Sequence, residues 1–596
     1  MTTWLAANLA PVMFVSLVAF MLTGFPVAFS LAACGMFFGF VGIELGLMPV
    51  AMLQALPLRL VGIMQNETLL AIPFFTFMGL LLERSGMAED LLETVGQVFG
   101  PLRGGVALAV VLVGAMLAAT TGVVAASVIS MGLISLPIMM RYGYSRPLAA
   151  GVITASGTLA QIVPPSLVLI VIADQLGRSV GDMYLAAFVP AFMLVGLYCA
   201  YVVAVALLRP GWAPALPPEA RIYREPDGAS GHRSLLVLLS LCVAAGLAFG
   251  ARYGDVATWF GAEADRPPAT DETVVMALAA SVALAFVLAM INRALGLRLL
   301  SRLAEQVTFV LIPPLLLVFV VLGTIFLGVA TPTEGGAMGA TGALALALLR
   351  GRLDVPLLRQ ALNATAKLSS FVIFVLIGST IFSLTFQGIE GPLWVEHLFD
   401  RLPGGVLGFL LFVNALIFVL GFFIDFFEIA FILLPLLAPV AAKLEIDLVW
   451  FGVMVAMNLQ TSFLTPPFGF ALFYLRSVAP ASDYVDRITG VRIARMSTAD
   501  IYRGSVPFVL MQLAMLAIVI AFPALTIGTL APQQTIDVDS IRLEVQEAPA
   551  SDVPALPGGD ASPSDDPMRV PEPDAEAEPE DPGATFMRES EPGKDR

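Results

Sequence analysis

Few residues of this 596-residue chain could do chemistry, and they are confined to a handful of places. Asp425 stands in Phe422-Phe423-Ile424-Asp425-Phe426-Phe427. A carboxyl in so apolar a run is costly enough to mark a function: cation ligand, proton carrier or salt-bridge partner. Two stretches supply hydroxyls shortly before a proline pair. One runs from Thr154-Ala155-Ser156-Gly157-Thr158 to Pro164-Pro165-Ser166, the other from Thr461-Ser462-Phe463-Leu464-Thr465 to Pro466-Pro467. Unwound backbone beside such prolines exposes carbonyl oxygens and half-helix ends, and oxygen ligands with few full charges suit Na⁺. Candidate cation ligands are Thr120, Thr121, Ser127, Ser156, Gly157 and Thr158 in the first half, and Gly421, Asp425, Thr461, Ser462 and Thr465 in the second. Candidates for substrate contact are Thr154, Pro164, Pro165, Ser166, Pro466 and Pro467. Glu334, in Thr331-Pro332-Thr333-Glu334, suits a structural role as well as a chemical one.

Other chemistries find little support. No HExxH, GxSxG or Ser/His/Asp grouping occurs, and no GxxxxGK[ST] phosphate loop. Cys34, Cys199 and Cys242 each lie in an apolar run and match no zinc or redox spacing. An intramembrane aspartyl protease would need a second buried aspartate beside Asp425, and Asp174 falls beyond the end of its apolar segment. The chain is therefore not read as an enzyme.

The elements that must position these residues are set by composition. The chain is 58% hydrophobic and 13% charged, whereas soluble domains are about half apolar and about a quarter charged. That excludes a soluble fold and argues against nucleic-acid binding. The net charge of −15 is unevenly placed: residues 531–596 carry 17 Asp/Glu against 5 Lys/Arg, leaving a nearly neutral body. The tail, rich in Pro, Asp and Glu, is expected to be disordered. A membrane span needs about 20 apolar residues, and many segments qualify. The first, 4–23, lacks a basic leader and reads as a span rather than a signal peptide.

Segments 105–140 and 409–441 are each about twice a span, with helix-poor centres at Ala119-Thr120-Thr121-Gly122 and Gly421-Phe422-Phe423-Ile424-Asp425. Each is expected to form a re-entrant hairpin. Segments 147–176 and 449–478 are expected to be half-helix pairs, because adjacent prolines remove two backbone donors. These landmarks recur in order. Gly24-Phe25-Pro26 answers to Ala330-Thr331-Pro332, Leu102-Arg103-Gly104-Gly105 to Leu402-Pro403-Gly404-Gly405, and Pro164-Pro165 to Pro466-Pro467 at an offset of 302 residues. The chain thus reads as an all-α polytopic membrane protein made of two repeats, 1–208 and 301–530. A linker, 209–300, carries two extra spans, and the acidic tail is 531–596. Assigning the Arg-rich loops to the cytoplasm gives twelve crossings plus two hairpins, inverted repeats and both termini outside. Met52–Met64 and Leu353–Lys367 are expected to be separate interfacial helices, and 252–272 a solvated external loop.

Several motifs together resemble one family. They are Ile72-Pro73-Phe74-Phe75 with Gly79, the Thr154–Gly157 elbow ending in Pro164-Pro165-Ser166, Gly328-Val329-Ala330-Thr331-Pro332-Thr333-Glu334, the Gly421–Asp425 tip, and Leu464-Thr465-Pro466-Pro467-Phe468-Gly469. Over about 1–208 and 300–530 the chain is similar to the large membrane subunit of tripartite ATP-independent periplasmic (TRAP) transporters. The resemblance implies an elevator-type secondary transporter of the bacterial inner membrane, in which both hairpins and both broken helices move against a scaffold. It implies Na⁺-coupled uptake of a small organic acid, with no other cofactor. It also implies two partners, a small four-helix membrane subunit and a periplasmic substrate-binding protein. The chain departs from the family in its extra spans, its acidic tail and Gln460-Thr461-Ser462-Phe463, which replaces a glycine-containing stretch and alters the ligand set of the second cation site. A self-sufficient ion-coupled carrier of organic anions would share the same plan.

Overall fold

The computed structural model describes residues 2–223, 231–259, 270–296, 299–400, 403–486, 488–528 and 530. The expectations for the tail and for most of 252–272 fall outside them, although Tyr253–Trp259 is helical. A chain this apolar must satisfy its backbone within each segment, so helices dominate. In the first half these are α1 (Leu9–Leu22), α2 (Val27–Glu44), α3 (Leu56–Met64), α4 (Ala71–Arg84), α5 (Met87–Phe99), α6 (Gly105–Thr121), α7 (Val124–Arg141), α8 (Arg146–Thr158), α9 (Leu167–Leu176) and α10 (Val180–Leu208). The extra pair is α11 (His232–Ala251) and α12 (Thr270–Leu295). The second half has α13 (Arg302–Phe326), α14 (Pro332–Leu349), α15 (Val355–Gly388), α16 (Gly405–Leu420), α17 (Phe426–Lys443), α18 (Leu448–Leu464), α19 (Phe470–Val478) and α20 (Thr498–Ala521). A short antiparallel pair, β1 (Tyr484–Val485) and β2 (Arg492–Ile493), lies before α20, with Tyr484 opposite Ile493.

Both hairpins are present. α6 and α7 are separated only by Gly122-Val123, and α16 and α17 by 421–425. Each opens on a glycine in the left-handed region, Gly104 (φ 77°) and Gly404 (φ 102°), a conformation side chains rarely adopt. The two broken helices, α8/α9 and α18/α19, are interrupted at the proline pairs, whose Pro–Pro bonds are both cis.

Two expectations are corrected. Leu353–Lys367 is not a separate interfacial helix: α15 runs unbroken for 34 residues from Val355 to Gly388. Nothing between its amphipathic start and its apolar end breaks a helix, since its proline is at the second helical position, where no donor is lost. The corresponding arm in the first half does break. There the chain bends by 48° between Val50–Met64 and Glu67–Arg84, and Leu58, Val61 and Met64 of α3 are exposed, as a helix lying in an interface requires. The second correction concerns the first elbow. Helix α8 persists through Thr158 and a 3₁₀ turn covers Leu159–Gln161, so the non-helical backbone is only 162–166.

Close packing follows small residues, as it does where lipid gives helices no hydrophobic reason to associate. Gly35 of α2 faces the Ile381 backbone of α15, and Thr385 Oγ1 donates to Gly35 O at 2.9 Å. Gly151 of α8 and Gly504 of α20 leave no room for a Cβ between their backbones. Gly246 of α11 sits against Ser281 of α12 in the same way.

Candidate functional site

The hairpins are seated on the broken helices. A Cβ on Gly114 of α6 would lie 2.5 Å from Ser156 Cβ of α8, and one on Gly157 would strike Val128 of α7. A Cβ on Gly122, at the first tip, would lie 2.8 Å from Leu167 Cγ at the start of α9. In the second half a Cβ on Gly421, at the tip, would lie 2.8 Å from Ser462 Cβ of α18. Asn458 Nδ2 of α18 donates to Asn414 Oδ1 of α16 at 2.7 Å. Asn414 stands 300 positions after Gly114 and Asn458 302 after Ser156, so one crossing is built twice with different chemistry. The first half uses a close glycine–serine approach and the second an amide bond.

The predicted hydroxyls are buried, but most lie on helical backbone rather than in unwound elbows. Thr154 Oγ1 donates to Ala150 O (2.8 Å), Ser156 Oγ to Val152 O (2.6 Å) and Thr158 Oγ1 to Ala155 O (2.9 Å). In α18, Thr461 Oγ1 donates to Met457 O (2.9 Å) and Ser462 Oγ to Leu459 O (2.8 Å), while Thr465 Oγ1 donates to Thr461 O (2.8 Å). Each hydroxyl thus spends its proton on its own helix, and a hydroxyl oxygen retains two lone pairs for a cation or a donor. Ser166 caps α9, accepting from Val168 N at 3.2 Å and donating to Gln161 O at 2.8 Å. Ser127 is buried on α7, one residue from Val128. The side chains of Thr120 and Thr121 lie outside the described residues.

Asp425 is the N-cap of α17. Its Oδ1 accepts from Phe426 N at 2.7 Å, and Glu428 Oε2 accepts from Asp425 N at 3.1 Å, closing a capping box. Thr331 and Glu334 form the same device at the start of α14: Glu334 Oε2 accepts from Thr331 N at 2.8 Å. Both acids therefore have a structural task, which leaves Asp425 with a second oxygen that receives none of these hydrogen bonds.

Sequence reasoning missed a set of amides. Gln460 Nε2 and Gln512 Nε2 both donate to Thr158 Oγ1, at 3.5 and 3.4 Å, and Gln512 Nε2 also reaches Tyr198 OH at 2.7 Å. The two broken helices, α10 and α20 thereby meet at one hydroxyl. Gln460 Oε1, Gln512 Oε1 and both polar atoms of the fully buried Gln161 have no hydrogen-bond partner. Buried polar groups are normally paired, so these oxygens fit a polar guest such as water or a cation. An uncharged amide inside an apolar run was the available signal.

Outside the apolar region, Arg141 at the end of α7 grips Asp486 beside the β1–β2 pair. Its Nη2 lies 3.0 Å and its Nε 3.1 Å from Oδ1. Thr489 Oγ1 donates to Asp486 Oδ2 at 2.7 Å. These donors, Arg141 first, hold the Asp486 carboxyl well below the usual carboxylate range.

Two duplicated units, each a helical hairpin seated on a broken helix, inside an all-α shell with exposed apolar faces, define a polytopic membrane protein built around a polar centre. Residues 14–525 match the family described as Tripartite ATP-independent periplasmic transporter, DctM component, and the chain belongs to that family. It is 26% identical to the C4-dicarboxylate TRAP transporter large permease protein DctM of Pseudomonas aeruginosa, over 80% of this chain and 89% of that protein. It is 24% identical to the isethionate TRAP transporter permease protein DctMQ of Oleidesulfovibrio alaskensis, over 79% of this chain but 61% of that longer protein. Among solved structures, the Alcanivorax borkumensis YdaH transporter aligns with a TM-score of 0.47 and 14% identity over 80% of this chain and 90% of that one.

Proposed function

We propose that the chain is the large membrane subunit of a Na⁺-coupled TRAP importer of a small organic acid. The observation that carries the reading is the pair of hairpins seated on pseudo-equivalent broken helices, with buried oxygens facing a shared centre. Hydroxyl lone pairs on Ser156, Thr158, Thr461, Ser462 and Thr465, the open oxygen of Asp425 and the unpartnered glutamine oxygens are suited to a hard cation. Hairpins and broken helices move as one body past the arms α3 and α15, an elevator motion. The repeats are inverted, with the Arg-rich loops in the cytoplasm and both termini outside.

A small membrane subunit and a periplasmic binding protein complete the transporter. Support comes from the isethionate relative, whose printed name joins M and Q and whose extra length this chain does not cover. The relatives' named substrates, a C4-dicarboxylate and a sulfonate, share a small organic anion. The test is uptake into liposomes holding this chain and the small subunit, with binding protein and candidate acids outside. Uptake that requires an inward Na⁺ gradient and the binding protein supports the reading. Uptake by this chain alone, or indifference to Na⁺, overturns it.

A further inference from the structure

A polar pocket of about 460 Å³ lies away from the broken-helix crossing, where α3, the end of α9 and the last turns of α15 meet. Its chemistry is carried by Arg59 on α3, Asn66 in the bend after it, Asp174 and Gln175 closing α9, and Ser383 and Gln387 on α15. One acid and one base face it, and they are not equivalent. Asp174 is already served by two donors, Asn66 Nδ2 on Oδ1 at 2.7 Å and Gln175 Nε2 on Oδ2 at 2.9 Å. Arg59 has a single long contact, Nη2 to Gln387 Oε1 at 3.5 Å, and no ion pair among the described residues. A guanidinium offers five donors in a planar fork matched to a carboxylate or sulfonate. The uncompensated charge of the pocket is therefore positive, its remaining wall is hydroxyl and amide, and its size falls in the range of small-molecule sites.

We propose that Arg59 binds the anionic head of a small organic acid in this pocket, making it an access site on the seam between the arm α3 and the first broken helix. The role in uptake rests on the transport reading above; the binding itself does not. The pocket lies at the Gly388 end of α15, opposite the Arg350–Arg352 end. In the proposed orientation that is the side from which a binding protein would deliver its cargo. The Asn66–Asp174 bond crosses the same seam, so an acid held at Arg59 sits beside a contact that movement of α9 past α3 must break.

The experiment uses the full chain in detergent, treated with an arginine-selective glyoxal reagent and mapped by peptide mass spectrometry. Succinate and isethionate are the probes, with sodium chloride at equal ionic strength as control. Arg59 is exposed and open to modification, and either probe is expected to slow its modification roughly tenfold once its concentration exceeds the apparent Kd by about ten. Arg103, exposed at the opening of the first hairpin, is expected to react at an unchanged rate. In parallel, the probe-induced rise in Tm is expected to vanish in R59Q and to persist, weakened, in R59K. Absence of protection at Arg59 by both probes, equal slowing at Arg103, or an undiminished Tm response in R59Q overturns the proposal. Protection at Arg59 in a chain whose reconstituted complex shows no Na⁺-dependent uptake sinks the transport reading and leaves this site standing.

Discussion

Thr158 and Gln460 are pseudo-equivalent residues, 302 positions apart, and they touch: Gln460 Nε2 donates to Thr158 Oγ1 at 3.5 Å. The proline pairs share that offset, so the internal duplication closes on itself at a single contact. Replacing Thr158 by Val leaves the buried Gln460 amide without its acceptor and is expected to cost about 1–3 kcal/mol. Removing the amide as well, in T158V/Q460M, is expected to recover at least half of that loss. A double-mutant cycle of denaturation in detergent checks it; additive losses would mean that the contact carries no energy.

The glycines beneath the hairpins make a second expectation. G421A places a Cβ 2.8 Å from Ser462 Cβ, and G114A one 2.5 Å from Ser156 Cβ. Overpacking of this kind costs about 1–3 kcal/mol. Each defect is expected to be rescued by its own partner, S462G for G421A and S156G for G114A, and not by the other. Thermal unfolding of the four single and four double variants reads this directly.

Asp425 separates capping from cation binding. D425A removes the cap of α17 and is expected to destabilise by about 1 kcal/mol. D425S keeps a capping oxygen and loses the charge, so its stability should stay within about 0.5 kcal/mol of the parent, since serine and aspartate cap comparably. In reconstituted uptake D425S is expected to need a higher Na⁺ concentration. Wild-type Na⁺ dependence in D425S would assign Asp425 to the cap alone.

Acid should release the β1–β2 pair from α7. The Asp486 carboxyl is held below its ordinary value of 3.8, chiefly by Arg141. A depressed folded value means that the stabilisation is present above the ordinary value and is lost as pH falls through the depressed one. Backbone amides of 484–493 are therefore expected to keep their hydrogen-exchange protection at pH 5 and above, and to lose it only well below pH 3.8. In R141Q that loss should move up toward the ordinary aspartate range.

The breaks of this fold were legible because proline and glycine act locally. Pro164-Pro165, Pro466-Pro467 and the paired glycines at 104–105 and 404–405 locate both broken helices and both hairpin openings from sequence alone. The hydroxyls between Thr154 and Thr158 misled, because a short side chain near a proline pair reads as loop although it can bond back to the carbonyl four residues earlier. Gln161, Gln460 and Gln512 carry no charge, and only the fold brings them to Thr158. Likewise the partners of Arg59 come from α9 and α15, more than 100 and 300 residues away in sequence.

The two arms differ in a way that reaches beyond their immediate contacts. At 34 residues α15 is about 51 Å long, against a hydrocarbon layer of about 30 Å. It can only lean or protrude. Its counterpart is jointed at Gln65-Asn66 and lays its first segment flat. One arm is therefore a strut that feels bilayer thickness along its whole length, and the other a knee that absorbs it. Thickening the membrane would load the two sides of the molecule unequally.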